Sequence, residues 1–210
     1  MHEKTLTENT KRVLKTLSST DFINNFYLAG GTALALFLGH RRSVDLDWFA
    51  QDFTYNPEFR KRLAGLGQLQ VSNEGEKTFN GSLNGVKISF FEYPYPLISS
   101  KEYYEDNVYL AGKPDIAAMK LDAVASRGTY KDFVDIYFLL EEYSLGQLLK
   151  FFKDKFSDVD YNEAHLLKSL TYFEDTEDSK YPELIEQVDW KKIKEELTYN
   201  VEQYFEENYK

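Results

Sequence analysis

The chain has 210 residues, 42% hydrophobic and 29% charged, the composition of a soluble globular protein with room for one large or two small domains. The lack of cysteine excludes disulfides and thiolate metal sites, and no apolar run reaches the ~20 residues that span a bilayer, so we expect a cytoplasmic protein without a membrane segment. The net charge is −10, and residues 151–210 hold eight lysines against sixteen acids, which argues against broad nucleic-acid binding by this part.

The first half of the chain alternates between helical and strand-like patterns. In chain order we predict a helix at 7–18, a strand at 26–29, a helix at 33–38, a strand at 44–49, a helix at 57–64, and strands at 68–72, 77–83 and 86–91. Asn84-Gly85 between the last two strands is a strong hairpin signal. Aromatic residues make up 16% of the chain, so we expect an aromatic-rich core.

The second half predicts helices almost throughout. These lie at 114–126, 131–143, 145–156, 161–173 and 189–207, with an acidic loop at 174–180. The change in pattern places a domain boundary near Ala111. We therefore predict an α+β domain at 1–111, with a mixed sheet and flanking helices, and a helical bundle at 112–210.

A glycine pair, Gly30-Gly31-Thr32, separates the first predicted strand from the following helix. Glycines let the backbone turn sharply and approach a ligand closely. The helix that follows presents its N–H groups and the positive end of its dipole, which suit a phosphate. The alternative is an ordinary strand-to-helix turn, since glycine pairs are common there.

Two aspartates, Asp45 and Asp47, occupy the next predicted strand. Alternate strand residues point to the same side, so the two carboxylates share one face and repel each other unless a cation lies between them. Aspartate also has a poor strand propensity. Binding of a hard, oxygen-seeking cation such as Mg²⁺ explains the pattern. The alternative is a pair of solvated acids at an exposed strand end.

Cationic and acidic residues recur in the first two predicted helices of the second half. Lys120 and Arg127 lie seven residues apart, near one stripe of a helix, and Lys131 lies four residues before Asp135. These cations could reach phosphates. Alternatively they form exposed ion pairs between residues four apart, which contribute only about 0.3–0.5 kcal/mol each.

Taken together, these three features suggest metal-assisted transfer from a nucleoside triphosphate. Such chemistry needs a metal held by carboxylates, a cradle for phosphates, and positive charge on the leaving group. The glycine turn, the paired aspartates and the helical cations could supply these parts in that order.

The same residues resemble a known family. The stretches 28–32 and 40–49, followed by Lys120, Arg127 and 131–136, look like the AbiEii/AbiGii nucleotidyltransferases, the toxins of bacterial type IV toxin–antitoxin and abortive-infection systems. The resemblance implies a polymerase β-like nucleotidyltransferase core with a helical C-terminal part. It also implies Mg²⁺-dependent transfer of a nucleotide from an NTP to an acceptor, which in toxins can be the tRNA 3′ end, and a cognate antitoxin acting on the target or its promoter.

The resemblance also implies roles for individual residues. Asp45 and Asp47 would be the metal ligands and Lys120 would bind the triphosphate, while Asp132 or Asp135 would position groups near the acceptor or hold Lys131 and Arg127. The remaining candidate nucleotide contacts are Gly30, Gly31, Thr32, Arg42, Ser43, Arg127 and Lys131.

One position departs from the family pattern. Related enzymes often carry a third carboxylate on the strand after the hairpin, where this chain has Ser89. That carboxylate would activate the attacking hydroxyl as a general base. Glu92 has the opposite strand parity, so it could substitute only if the strand bulges or ends there.

Two alternative functions stay open. A nucleotidyltransferase of this superfamily could modify a small cationic acceptor resembling an aminoglycoside, which would suit the acidic C-terminal part. The chain could also be a catalytically silent binding protein that keeps the fold, an interpretation motivated by Ser89.

Overall fold

A computed structural model of the protein describes residues 1–174, 176 and 179–209. Two compact units are present, Met1–Gly112 and Lys113–Lys210. Three residues of the predicted acidic loop, Asp175, Glu177 and Asp178, lie outside the described residues. Within the described ranges, no helix combines the length and apolar character needed to cross a membrane.

The first unit is built on a mixed sheet with the strand order β3-β4-β5-β2-β1-β7-β6. Its elements are α1 (Glu8–Ser18), β1 (Tyr27–Ala29), α2 (Gly30–Leu38), β2 (Leu46–Ala50), α3 (Pro57–Ala64), β3 (Leu69–Gly75), β4 (Thr78–Leu83), β5 (Val86–Glu92), β6 (Glu102–Glu105) and β7 (Val108–Leu110). Strand β2 lies in the middle, antiparallel to β1 and parallel to β5. The predicted hairpin is confirmed: Asn84 and Gly85 have φ values of 50° and 79° and connect β4 to β5.

Aromatic rings fill the core on one side of this sheet. Strand β2 alternates, with Leu46, Trp48 and Ala50 buried. The neighbouring Phe90 ring lies 5.1 Å from the rings of Phe26 and Phe59, in edge-on contacts. The predicted aromatic-rich core is thus confirmed, and the opposite side of β2 is left for the polar residues of the alternation.

Several predicted bounds were wrong in ways that matter for the site. Helix α2 begins at Gly30 rather than at 33, so the glycine pair forms its first turn. Strand β2 begins at Leu46, so Asp45 precedes it. The sequence also failed to predict β6 and β7, which are only four and three residues long and are joined by a turn with Asp106 at a φ of 43° instead of a glycine.

The second unit is helical. It contains α4 (Lys113–Ser126), α5 (Tyr130–Leu140), α6 (Leu145–Lys155), α7 (Glu163–Ser169) and α8 (Trp190–Tyr209). Helix α4 packs against α5, α6 and α7. A fully buried ion pair, in which Lys155 Nζ lies 2.7 Å from Asp115 Oδ1, joins α6 to α4. Helix α7 is shorter than the predicted 161–173 because Asn162 caps its N-terminus and its last helical residue is Ser169.

Candidate functional site

The predicted metal ligands lie at the start of β2. Asp45 precedes the strand by one residue and Asp47 is its second residue, and both are half-buried. In register, Asp47 lies opposite Ala29 of β1 and Ser89 of β5. Because Asp47 alternates with the buried Leu46 and Trp48, its carboxylate projects from the face opposite the aromatic core.

The first turn of α2 approaches the Asp47 carboxylate closely. Gly30 adopts a φ of 66°, and a Cβ atom built on it would lie 3.2 Å from Asp47 Oδ2. The residue before the helix is Ala29, whose side chain cannot cap the first N–H groups. The positive end of the helix therefore lies beside a carboxylate with no side chain between them.

A buried arginine, Arg41, lies against the second glycine. Only 1% of Arg41 is exposed, and a side chain on Gly31 would overlap its guanidinium. Its Nη1 donates to the carbonyl of Arg42 at 3.1 Å. Sequence reasoning did not select Arg41, because an arginine within a charged run is expected to face solvent. The glycine pair was the signal that could have indicated a buried Arg41, since a glycine leaves room for a large side chain to pack against the backbone.

Thr32 organises the approach to β2 through its side chain. It is buried, its hydroxyl donates to the Asp45 carbonyl, and it lies 2.8 Å from Ser43 Oγ. These contacts join α2 to the residues that precede the strand. The Thr32 side chain thus positions Asp45. The predicted contact between Thr32 and a phosphate stays a prediction, and its donor would be the backbone N–H.

The other two candidates in this stretch face different surroundings. Arg42 is exposed, and its Nη1 donates to the carbonyl of Lys4 at 3.1 Å. Ser43 is half-buried, and its backbone N–H donates to the carbonyl of Thr5. Both residues therefore fasten the segment before β2 to the N-terminal turn, and their predicted nucleotide contacts stay predictions.

Ser89 lies directly beside Asp47 on the sheet. The two are registered partners on parallel strands, so their side chains share a face. Glu92 does not replace the missing carboxylate: β5 continues in register through it, opposite Ala50, and its carboxylate lies 2.5 Å from Lys77 Nζ. The face that carries Asp47 thus has a serine hydroxyl where a third carboxylate is expected.

The donor set on this face fits Mg²⁺ in one specific way. The described residues contain no group of three or more His, Asp or Glu side chains arranged to hold a metal. Mg²⁺, however, is usually held by one or two carboxylates, with waters and substrate phosphates completing its octahedron. Asp45 and Asp47 match that pattern and would hold the ion together with a bound triphosphate.

The second group of predicted site residues forms a buried network in the helical unit. Lys120 Nζ lies 2.9 Å from Asp132 Oδ1 and 2.7 Å from Asp135 Oδ2, and the Lys120 side chain is only 7% exposed. Lys120 therefore positions two carboxylates of α5 from α4. Its predicted contact with a triphosphate stays a prediction.

Asp132 is the centre of this network. Arg127 Nε lies 3.1 Å from Asp132 Oδ2, and the Thr129 hydroxyl donates to the same oxygen at 2.6 Å. Burial by itself would raise the pKa of Asp132, but the Lys120 charge, Arg127 and Thr129 outweigh it and lower the pKa to about 2. Asp132 is therefore ionised at neutral pH and holds Arg127, as predicted.

The alternative interpretation of Lys131 and Asp135 as an exposed ion pair was wrong. Asp135 is fully buried and pairs with Lys120, whereas Lys131 is exposed and makes no ion pair with any of the described residues. The two residues lie on the same side of α5 but differ in burial. Asp135 is enclosed in the continuous buried stretch of the helix, and Lys131 precedes that stretch.

Sequence and structure comparisons identify related proteins. Residues 12–209 match the family of the nucleotidyl transferase AbiEii toxin of type IV toxin–antitoxin systems. An uncharacterised protein of Aquifex aeolicus (strain VF5) is 35% identical over 208 residues, covering 96% of this chain and 98% of that protein. The fold resembles that of MenT4, the nucleotidyltransferase toxin Rv2826c of Mycobacterium tuberculosis H37Rv, with a TM-score of 0.57 and 14% identity over 91% of this chain and 81% of that one.

Proposed function

Because the chain belongs to the AbiEii family of nucleotidyltransferase toxins of type IV toxin–antitoxin systems, we propose that it transfers a nucleoside monophosphate from an NTP to an acceptor hydroxyl on tRNA, with Mg²⁺ as cofactor. One observation supports this most: Asp45 precedes β2 and Asp47 lies within it, with the Asp47 carboxylate close to Gly30 in the first turn of α2. A metal-bound triphosphate needs carboxylates and phosphate-binding N–H groups side by side.

The roles follow from the chemistry of each group. Asp45 and Asp47 would hold Mg²⁺, which would neutralise charge on the phosphates and on the pyrophosphate leaving group. The N–H groups of the first turn of α2 bind phosphate oxygens, and Gly30 leaves space for them beside Asp47. The buried Arg41 guanidinium adds fixed positive charge behind Gly31.

The reaction forms a bond between the acceptor oxygen and the α-phosphorus and breaks the bond from that phosphorus to the pyrophosphate oxygen. Ser89 is a poor general base at neutral pH, so the acceptor proton passes to solvent without a third carboxylate. We therefore propose that positioning and charge supply most of the rate enhancement.

The transfer assay incubates the full chain with each NTP in turn, labelled at the α-phosphate, together with total tRNA and Mg²⁺. We expect label on RNA with at least one NTP, and a loss of at least about 100-fold in Asp47→Asn. Glu92→Gln is the matched control, since it removes a carboxylate three residues after Ser89 and on the opposite face of the sheet. Equal activity of wild type and Asp47→Asn would refute the proposal.

A small cationic acceptor is the second candidate, because residues 151–210 carry a balance of −8. The same assay separates the two acceptors when an aminoglycoside replaces tRNA. Label on the small molecule and none on RNA would favour this candidate. Absence of label on either acceptor, together with no binding of Mg²⁺ and nucleotide, would favour a silent protein that keeps the fold.

A further inference from the structure

A cationic cavity lies within the helical unit, between the end of α4 and α7. It has a volume of about 280 Å³. Its polar lining consists of Arg127, His165, Lys168, Ser126, Ser169 and Tyr172. The described residues that line this cavity include two cations and an imidazole but no carboxylate, which indicates a site for an anion.

The cations of this cavity are presented in different ways. Arg127 is fixed by its bonds to Asp132, yet 63% of its side chain stays exposed. Lys168 and His165 lie three residues apart on α7, both exposed, and no carboxylate of a described residue lies within ion-pairing distance of either. A guanidinium held by a carboxylate and an ammonium that line the same cavity can together hold a phosphate group.

The remaining lining adds a surface for a flat ring. Tyr172 is 44% exposed, and its hydroxyl donates to Glu174 Oε2 at 3.1 Å, which fixes the ring. The imidazole of His165 lines the same cavity, and Val124 contributes an apolar patch. Aromatic faces next to cations are the arrangement by which proteins bind single-stranded RNA, with a base stacked and its phosphate paired.

We propose that this cavity binds one nucleotide of the acceptor RNA, with Lys168 and Arg127 on the phosphate and Tyr172 against the base. The inference rests on the proposed function, because it gives that transferase an RNA contact in the helical unit. The cavity is close to the lower limit of ~300 Å³ for ligand sites, so it holds no more than about one nucleotide. None of the described residues that line it carries a carboxylate, so these residues offer no ligand for the Mg²⁺ that accompanies a triphosphate.

Lys168→Glu tests the phosphate contact. The full chain is titrated into a short fluorescent single-stranded RNA without NTP, and binding is followed by anisotropy at several salt concentrations. We expect about tenfold weaker binding and a salt dependence reduced by about 0.7 in slope. Lys153→Glu makes the same charge change at an exposed lysine of α6 and is expected to stay within about twofold of wild type.

Tyr172→Ala tests the stacking contact independently. Loss of one base–aromatic stack is expected to weaken RNA binding by at least about fivefold with an unchanged salt slope. Tyr199→Ala, at an exposed tyrosine of α8, is the control. Circular dichroism and the unfolding midpoint check that the variants remain folded.

The outcomes separate the inference from the proposed function. Equal losses in Lys168→Glu and Lys153→Glu, or displacement of the RNA by MgATP, would overturn the inference. Lys168-dependent RNA binding without transfer to any acceptor would support the cavity and refute the transferase. Transfer to RNA with a KM unaffected by Lys168→Glu would refute the cavity and leave the transferase intact.

Discussion

The sheet unit and the helical unit each contain a pair of aspartates close in sequence, but the two pairs differ in how deeply they are buried. Asp45 and Asp47 are half-buried where β2 meets the first turn of α2, a region we call the open face. Asp132 and Asp135 are buried and held by Lys120 within 2.9 Å. Carboxylates enclosed with a buried lysine belong to structure, whereas half-buried carboxylates near a positive helix end are accessible to a cation. This contrast leads us to place the metal in the sheet unit.

Breaking the buried network should have the largest effect on stability. Asp135→Ala leaves Lys120 with one carboxylate in a closed environment, which we expect to lower the free energy of unfolding of the helical unit by about 3–5 kcal/mol. The chain has two tryptophans, Trp48 in the sheet unit and Trp190 in α8, so in a Trp48→Phe background Trp190 fluorescence reports on the helical unit during urea unfolding.

Asp45→Ala is the matched change on the open face. We expect its effect, measured with Trp48 in a Trp190→Phe background, to stay within about 0.5 kcal/mol, because the variant removes a solvated charge beside another of the same sign. Similar losses in the two variants would contradict the distinction between the two carboxylate groups.

The next largest effect should be the loss of stability of the helical unit at low pH. The pKa of Asp132 is lowered from 3.8 to about 2, so its ionised form stabilises the fold fully above about pH 4, and that contribution is lost as the pH falls through about 2. The loss corresponds to roughly 2 kcal/mol. In urea unfolding at a series of pH values, the stability difference between wild type and Asp132→Asn should therefore shrink by that amount on acidification, and a constant difference would contradict the assignment.

Gly30→Ala tests whether the space that Gly30 leaves beside Asp47 is needed. The positive φ of Gly30 should cost an alanine about 1–2 kcal/mol of stability, and its Cβ would crowd Asp47 Oδ2. We expect lower stability together with weaker metal binding. Gly65→Ala is the control, since Gly65 has a φ of −69° and the nearest atom to the added Cβ, the Arg62 carbonyl oxygen, lies at 3.4 Å, an ordinary contact distance. A neutral or slightly stabilising effect is therefore expected.

The smallest effect is expected at the exposed ion pair of the sheet edge. Lys77 is 66% exposed, so Glu92→Gln should lower stability by less than about 1 kcal/mol. It should leave metal binding unchanged, because Glu92 and Asp47 lie on opposite faces. A weakened metal affinity in this variant would show that Glu92 reaches the site after all.

The sequence predicted the parts of the sheet site that depend on local pattern. The pair Asp45 and Asp47 around the start of β2 and the glycine pair at the start of α2 can be identified without tertiary information. The pairing of Asp47 with Ser89 depends on the register between strands far apart in the chain, and only the family resemblance pointed to that position. The burial of Arg41 was not predictable, because it depends on the space that Gly31 leaves.

The helical unit shows where spacing misleads. Lys131 and Asp135 have the spacing of an exposed ion pair, but Asp135 lies among Phe133, Val134 and Ile136, all of them buried. That apolar stretch was the signal that Asp135 faces inward. Its actual partner, Lys120, is on another helix, and which helices pack together is set by tertiary structure rather than by spacing.

The most direct test of the central claim is divalent metal binding by the open pair of aspartates. Mn²⁺ is titrated into the full chain with a non-hydrolysable NTP, and bound metal is followed by electron paramagnetic resonance. We expect Asp45→Asn and Asp47→Asn each to weaken binding at least about tenfold, and Glu92→Gln to match the wild type. If the double variant Asp45→Asn/Asp47→Asn binds Mn²⁺ as tightly as the wild type, the metal is held elsewhere and the account is wrong.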